Sequence, residues 1–94
     1  MLYVLLCQDK PDSQSVRLAT RDAHLAYVAH HGEQVKLAGP LLSDDGEHMA
    51  GSLFIIEAAS ADEVRAFHDA DPYTQADLWG TVSLFPFRQV VPRE

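Results

Sequence analysis

Two short segments, Leu2–Cys7 and Leu53–Ile56, are apolar at every position. Both are rich in strand-forming residues and too short for a buried helix. A strand with one wet face alternates apolar and polar side chains, and these two do not. A sheet built on them must be covered on both faces. Only two stretches of the chain, about Ser15 to His31 and Ser60 to Asp71, carry a helical pattern. Two helices can cover one face. The other needs a second cover, most simply the same face of another copy, so a homodimer joined through the open sheet face is expected.

The rest of the chain supplies the order of elements. Leu2–Cys7 is a strand closed by the polar loop around Lys10-Pro11-Asp12-Ser13. In the helix that follows, Leu18, Leu25 and Val28, with Ala19, Ala26 and Ala29, form one apolar stripe, and Gly32 is a natural stop. Val35–Leu42 is a second strand. It contains Gly39-Pro40, and proline cannot donate to a sheet ladder, so this strand belongs at an edge or breaks there. Ser43-Asp44-Asp45-Gly46-Glu47 reads as a turn, and Ser52–Ala58 as the third strand. Ser60 and Glu63 have capping-box spacing and open a helix with Val64, Phe67 and Ala70 facing inward. Asp71-Pro72 ends it, because the residue before a proline avoids helical geometry. A short turn or helix over 73–79 leads to a last strand, Val82–Phe87. The order β-α-β-β-α-β is that of an α+β, ferredoxin-like sandwich with an antiparallel sheet.

With 94 residues and no repeat or linker, the chain makes one domain over 1–94, and a domain of that size buries roughly 60% of its unfolded surface. Charge narrows the partners. The net value is -7, and residues 44–77 hold nine acids against Arg65 alone. Nothing is gained from counterion release at phosphates, so nucleic acid is not expected as a partner. No apolar run approaches the roughly 18–20 residues of a spanning helix, and the first residues lack a basic leader, so neither membrane nor secretion is expected. The one cysteine, Cys7, cannot form an internal disulfide, which fits a reducing cytoplasm. In an apolar strand it reads as packing rather than as a nucleophile.

Two features carry chemistry. Arg17, Arg21, His24 and His31 are spaced along one stripe of the first helix, beside the apolar one. A histidine with a guanidinium one turn earlier can hold an anionic substrate and move a proton near neutral pH; the plain alternative is a solvated helix face. Asp71, directly before Pro72-Tyr73, can orient an imidazole, or simply bond its own backbone at a helix end. No two-histidine-plus-glutamate helical motif, cysteine pair or glycine-rich phosphate loop is present, so no metal and no cofactor are expected.

Three segments, Arg21-Asp22-Ala23-His24-Leu25, Ala38-Gly39-Pro40-Leu41 and Asp69-Ala70-Asp71-Pro72-Tyr73, then match a known pattern in order and spacing. On these the chain resembles the YciI-like family, or YCII-related domain, over nearly its whole length. The resemblance implies a dimeric α+β barrel of ferredoxin-like subunits. It also implies an active site centred on a histidine and an aspartate, which here are His24 and Asp71. Arg21, Gly39, Pro40, Tyr73 and Thr74 are the substrate-binding set it implies, with Thr74 as the hydroxyl that assists near the aspartate. A characterised class of relatives is dehydrochlorinases of chlorinated hydroxyhydroquinones. The wider superfamily includes muconolactone isomerases and small cofactor-free monooxygenases.

The expectation is therefore a cofactor-independent lyase or isomerase acting on a small, anionic, aromatic substrate by proton transfer at His24. The rival readings are a module that binds a metabolite unchanged and a plain dimerisation domain. The last of these predicts no concave site containing His24.

Overall fold

A computed structural model describes residues 1–92; the last two positions of the expected 1–94 domain lie outside the described residues. The elements are β1 (Leu2–Asp9), α1 (Gln14–His30), β2 (Val35–Leu42), β3 (Met49–Glu57), α2 (Ala61–Ala70), α3 (Pro72–Gln75) and β4 (Trp79–Phe87). The strands form one antiparallel sheet in the order β2-β3-β1-β4. This is the ferredoxin-like α+β arrangement that the order of elements requires. The Gly39-Pro40 strand, β2, lies at an edge, where a missing N–H costs no ladder bond.

Local chemistry sets the ends of the elements. Ser60 accepts from Glu63 N–H at 3.3 Å, and the Glu63 carboxylate reaches back to Ala59 N–H, so both halves of the capping motif are occupied. Asp71 closes α2 and caps the four-residue α3, its Oδ1 accepting from Tyr73 N–H at 2.9 Å. Gly46 sits at φ +75 in the β2–β3 turn, the left-handed region that glycine tolerates.

The first two sheet faces to be distinguished are those of β1. Tyr3, Leu5 and Cys7 are buried with Phe54 and Ile56 of β3 and with Val64 and Phe67 of α2, and this is the core. Leu2, Val4 and Leu6 point the other way. The register sets Val4 beside Ile55 and Phe85, and Leu6 beside Leu53. This second face stays open in the chain, with Phe85 57% exposed.

Two expectations about the helices need correction. Ala70, the last residue of α2, is exposed rather than inward. More consequentially, α1 packs only the Val28 end of its apolar stripe on the core. Leu18 is 57% and Leu25 46% exposed, whereas Arg17 and His24 are the buried residues of this helix. The rotation follows from partners that wait under the helix. Asp9 at the end of β1 and Asp71 at the end of α2 each hydrogen-bond one inward polar group, which offsets the usual penalty for burying it.

Candidate active site

The site is assembled by α1 lying across the ends of three other elements. His24 is 7% exposed, and its Nδ1 stands 2.8 Å from Asp71 Oδ1. That same oxygen also accepts from Tyr73 N–H, so it acts as an acceptor and Nδ1 carries the proton. In the neutral imidazole this tautomer puts the lone pair on Nε2. It has no partner among the described residues, and no side-chain nitrogen or oxygen there is both buried and unpaired, so Nε2 opens to the cavity that His24 lines. The ring is fixed from two sides. Tyr73 stacks on it at 4.0 Å between centroids and 20° between planes, and Phe54 meets it edge-on at 5.9 Å.

Beside it lies a buried ion pair. Arg17 Nε and Nη2 donate to Asp9 Oδ2 and Oδ1 at 2.7 and 2.8 Å, a bidentate arrangement, and Nη2 also donates to Ser52 Oγ at 3.1 Å. The guanidinium carbon is 4.6 Å from the Tyr73 ring centroid and 5.7 Å from that of Trp79. Burial works against the Arg17 charge, but the hydrogen bond and charge of Asp9, together with those of Tyr73, outweigh it and raise its pKa. Burial also raises the pKa of the Tyr73 phenol, while the charges of Arg17 and Arg21 pull the other way.

The cavity holds about 260 Å³. Its polar wall is Arg17, Arg21, His24, Ser52 and Tyr73, and its apolar wall is Leu25, Val28, Ala29, Ala38, Pro40, Met49 and Phe54, with Gly39 contributing backbone. That is room for one small planar molecule with a polar edge. Of the residues expected from sequence, His24, Arg21, Gly39, Pro40 and Tyr73 meet at this cavity. Asp71 lies behind His24, 1% exposed, and touches the site through the imidazole. Thr74 stands outside this lining; its Oγ1 accepts from Trp79 Nε1 at 2.9 Å and lies 3.5 Å from His68 Nδ1. Arg21 is exposed at the rim, so the expected row of cations divides into a buried Arg17 and a solvated Arg21.

Sequence reasoning missed the role of Arg17 and Ser52. Two signals pointed to them: Arg17 and His24 share a helix face at a spacing of seven, and Ser52 opens an otherwise apolar strand. His68 and Cys7 form a separate group behind the site, with Nδ1 and Sγ 4.0 Å apart. Burial, and then the nearby Asp71 charge, push the Cys7 thiol up to about 12, which keeps it neutral and unreactive. Burial likewise lowers the His68 pKa, against the charges of Asp69 and Asp71. No cluster of three or more metal-ligating side chains occurs among the described residues.

Comparison with known proteins agrees with this fold. The profile of the YCII-related domain matches residues 1–88. The protein YciI of Escherichia coli O6:H1 is 39% identical over 96% of this chain and 99% of its own. An uncharacterised protein of Haemophilus influenzae is 31% identical over the same shares. Among solved structures, the 5-chloro-2-hydroxyhydroquinone dehydrochlorinase TftG of Burkholderia phenoliruptrix, in complex with 2,5-dihydroxybenzoquinone, matches all of both chains with a TM-score of 0.90 at 33% identity. A Mycobacterium tuberculosis protein at 14% identity and a TM-score of 0.50 shares the fold alone.

Proposed function

The chain belongs to the YCII-related domain family, and from that premise we propose that it is a cofactor-independent enzyme in which His24 transfers a proton of a small, one-ring substrate. The observation that carries this reading is the His24–Asp71 contact of 2.8 Å at the wall of a cavity of about 260 Å³. Asp71 holds the Nδ1 proton, so Nε2 is presented as the base. Nε2 takes a proton from substrate. The electron pair left behind either expels a leaving group or moves to another carbon, to which the imidazolium returns the proton. The first outcome is elimination and the second isomerisation. The likeness to a dehydrochlorinase whose structure holds a dihydroxybenzoquinone supports the class of substrate and the elimination branch. The cavity around His24 is the feature that a plain dimerisation domain does not call for.

The reading includes a homodimer through the open sheet face. Val4, Ile55 and Phe85 form its centre, and an exposed apolar patch across a whole sheet face is what an obligate interface buries. Light scattering is expected to give two chains, and Phe85→Glu to give one. A cytoplasmic setting is part of the same reading and is supported by the single, unpaired Cys7. No helix among the described residues is long and apolar enough to cross a membrane.

A panel of hydroxylated and halogenated benzoquinones and hydroquinones, followed by chromatography, tests the chemistry. Loss of halide or a shifted double bond is expected with the wild type. His24→Ala should reduce the rate by about 10²–10⁴-fold with the fold intact. Full turnover in His24→Ala overturns the base assignment, and recovery of every bound ligand unchanged turns the reading to a metabolite-binding module.

A further inference from the structure

Arg17 does more than neutralise Asp9. Its Nε and Nη2 are committed to Asp9 and Ser52, and the guanidinium also lies beside the Tyr73 phenol, which leaves Nη1 with no charged partner among the described residues. Arg17 is only 2% exposed, yet no side-chain nitrogen is left both buried and unpaired. Nη1 is thus the guanidinium nitrogen left for the cavity that Arg17 lines, beside the Tyr73 phenol. Its position relative to His24 is also set. The two residues stand seven apart on α1, a rise of about 10.5 Å. The Tyr73 ring fills that interval, 4.0 Å from the imidazole centroid and 4.6 Å from the Arg17 Cζ. Nη1 and Nε2 thus reach the cavity at two separate points, with the Tyr73 ring between them.

We infer that Arg17 Nη1 anchors a carbonyl or phenolic oxygen of a planar one-ring substrate, at the end away from the atom that meets His24. Asp9 offsets the Arg17 charge, so this donor suits an oxygen that is neutral at rest and gains charge during reaction better than it suits a carboxylate ion. Arg21 sits at the solvated rim, where its charge is screened. The catalytic consequence rests on the proposed role of His24. When Nε2 takes the proton, the electron pair of the broken bond is delocalised through the ring onto the far oxygen. The proton is then on His24, and the negative charge is at the N–H of Arg17. Arg17 is a substrate-binding residue that acts most strongly as this charge forms.

The test separates the anchor from the base. 4-Nitrophenol, whose absorption band distinguishes phenol from phenolate, is titrated into His24→Gln, in which transfer to residue 24 is already removed. Binding with a shift towards the phenolate band is expected. Adding Arg17→Lys, which keeps a cation beside Asp9, should weaken binding by about 10- to 100-fold and abolish the band shift, whereas adding Arg21→Ala should change affinity by less than about threefold. If Arg17→Lys does not melt cooperatively, the neutral pair Asp9→Asn/Arg17→Gln takes its place with the same expected loss. Absence of binding to the His24→Gln parent, unchanged affinity on altering Arg17, or a larger loss from Arg21→Ala than from Arg17→Lys overturns the inference. None of these results bears on whether His24 is the base, which the turnover assay decides.

Discussion

The two long helices lie on the same sheet face and obey opposite rules. α2 buries its apolar residues, Val64 and Phe67, and turns Asp62, Glu63 and Arg65 to solvent. α1 buries Arg17 and His24 and leaves Leu18 and Leu25 outside. The first pattern is that of a helix held by the hydrophobic effect. The second is held by two hydrogen-bonded polar pairs whose acidic halves come from β1 and the end of α2, with Tyr27 and Val28 packed on the core, and it forms one wall of a cavity. α2 is there for stability, and α1 gives up part of its apolar burial to hold the site.

Substitution inside each helix is the most forceful way to break this contrast. Phe67 packs on Phe54, Tyr27 and His31 and lines no part of the cavity. Phe67→Ala should cost about 3–5 kcal/mol, with a Tm fall of more than about 10 °C by calorimetry. Ligand affinity of the fraction still folded should stay near that of the wild type. Arg17→Met should cost about as much for a different reason, since it leaves the Asp9 carboxylate buried without its partner. Asp9→Leu added to Arg17→Met should restore most of that stability, and an apolar pair can serve the fold as well as an ionic one. Ligand binding should not return with it. If Asp9→Leu fails to rescue Arg17→Met, packing of the Arg17 stem against Tyr73 and Trp79 is the larger contribution.

The contrast also explains which parts of the molecule were legible from sequence. α2 was readable because its signals are local: the Ser60–Glu63 cap, the inward Val64 and Phe67, and the Asp71-Pro72 stop. The strands were readable because Leu2–Cys7 and Leu53–Ile56 do not alternate, and Gly39-Pro40 marked an edge. The rotation of α1 was not readable. Its cause lies in Asp9 and Asp71, which are 8 and 47 residues from the groups they hold. A periodicity argument counts arginine and histidine as outward, so it chose the apolar stripe. His24 and Asp71 emerged as a pair only through resemblance to a family. Closeness in sequence to Asp71 likewise did not show that Thr74 turns to Trp79 and His68.

A smaller effect sharpens the comparison through pH. His68, in the last turn of α2, has its pKa lowered from 6.5 by burial. The unfolded chain therefore binds the proton more readily than the folded one. The sign follows: stability is full above pH 6.5 and falls as pH drops through the window between 6.5 and the lower folded value. His68→Gln should flatten that part of the profile relative to wild type in chemical denaturation. An unchanged slope would mean that His68 gains enough water or countercharge in the fold to offset its burial.

The smallest effects belong to the apolar residues that α1 leaves outside, and they separate two meanings of exposure. Leu18 and Leu25 lie on one stripe, are both large and aliphatic, and are both substantially exposed. Only Leu25 lines the cavity. Leu18→Gln and Leu25→Gln should each shift stability by no more than about 0.5 kcal/mol, since neither leaves a void or strands a buried group. Their effects on ligand binding should differ. Leu18→Gln should bind a ring ligand as the wild type does. Leu25→Gln should bind it several-fold more weakly, because the apolar wall opposite Ser52 and Tyr73 loses part of its surface. Equal binding by both would show that the cavity takes its ligand through the polar wall alone. A stability loss in Leu18→Gln would show that the stripe is covered in the assembled protein, and α1 would then serve both a site and an interface.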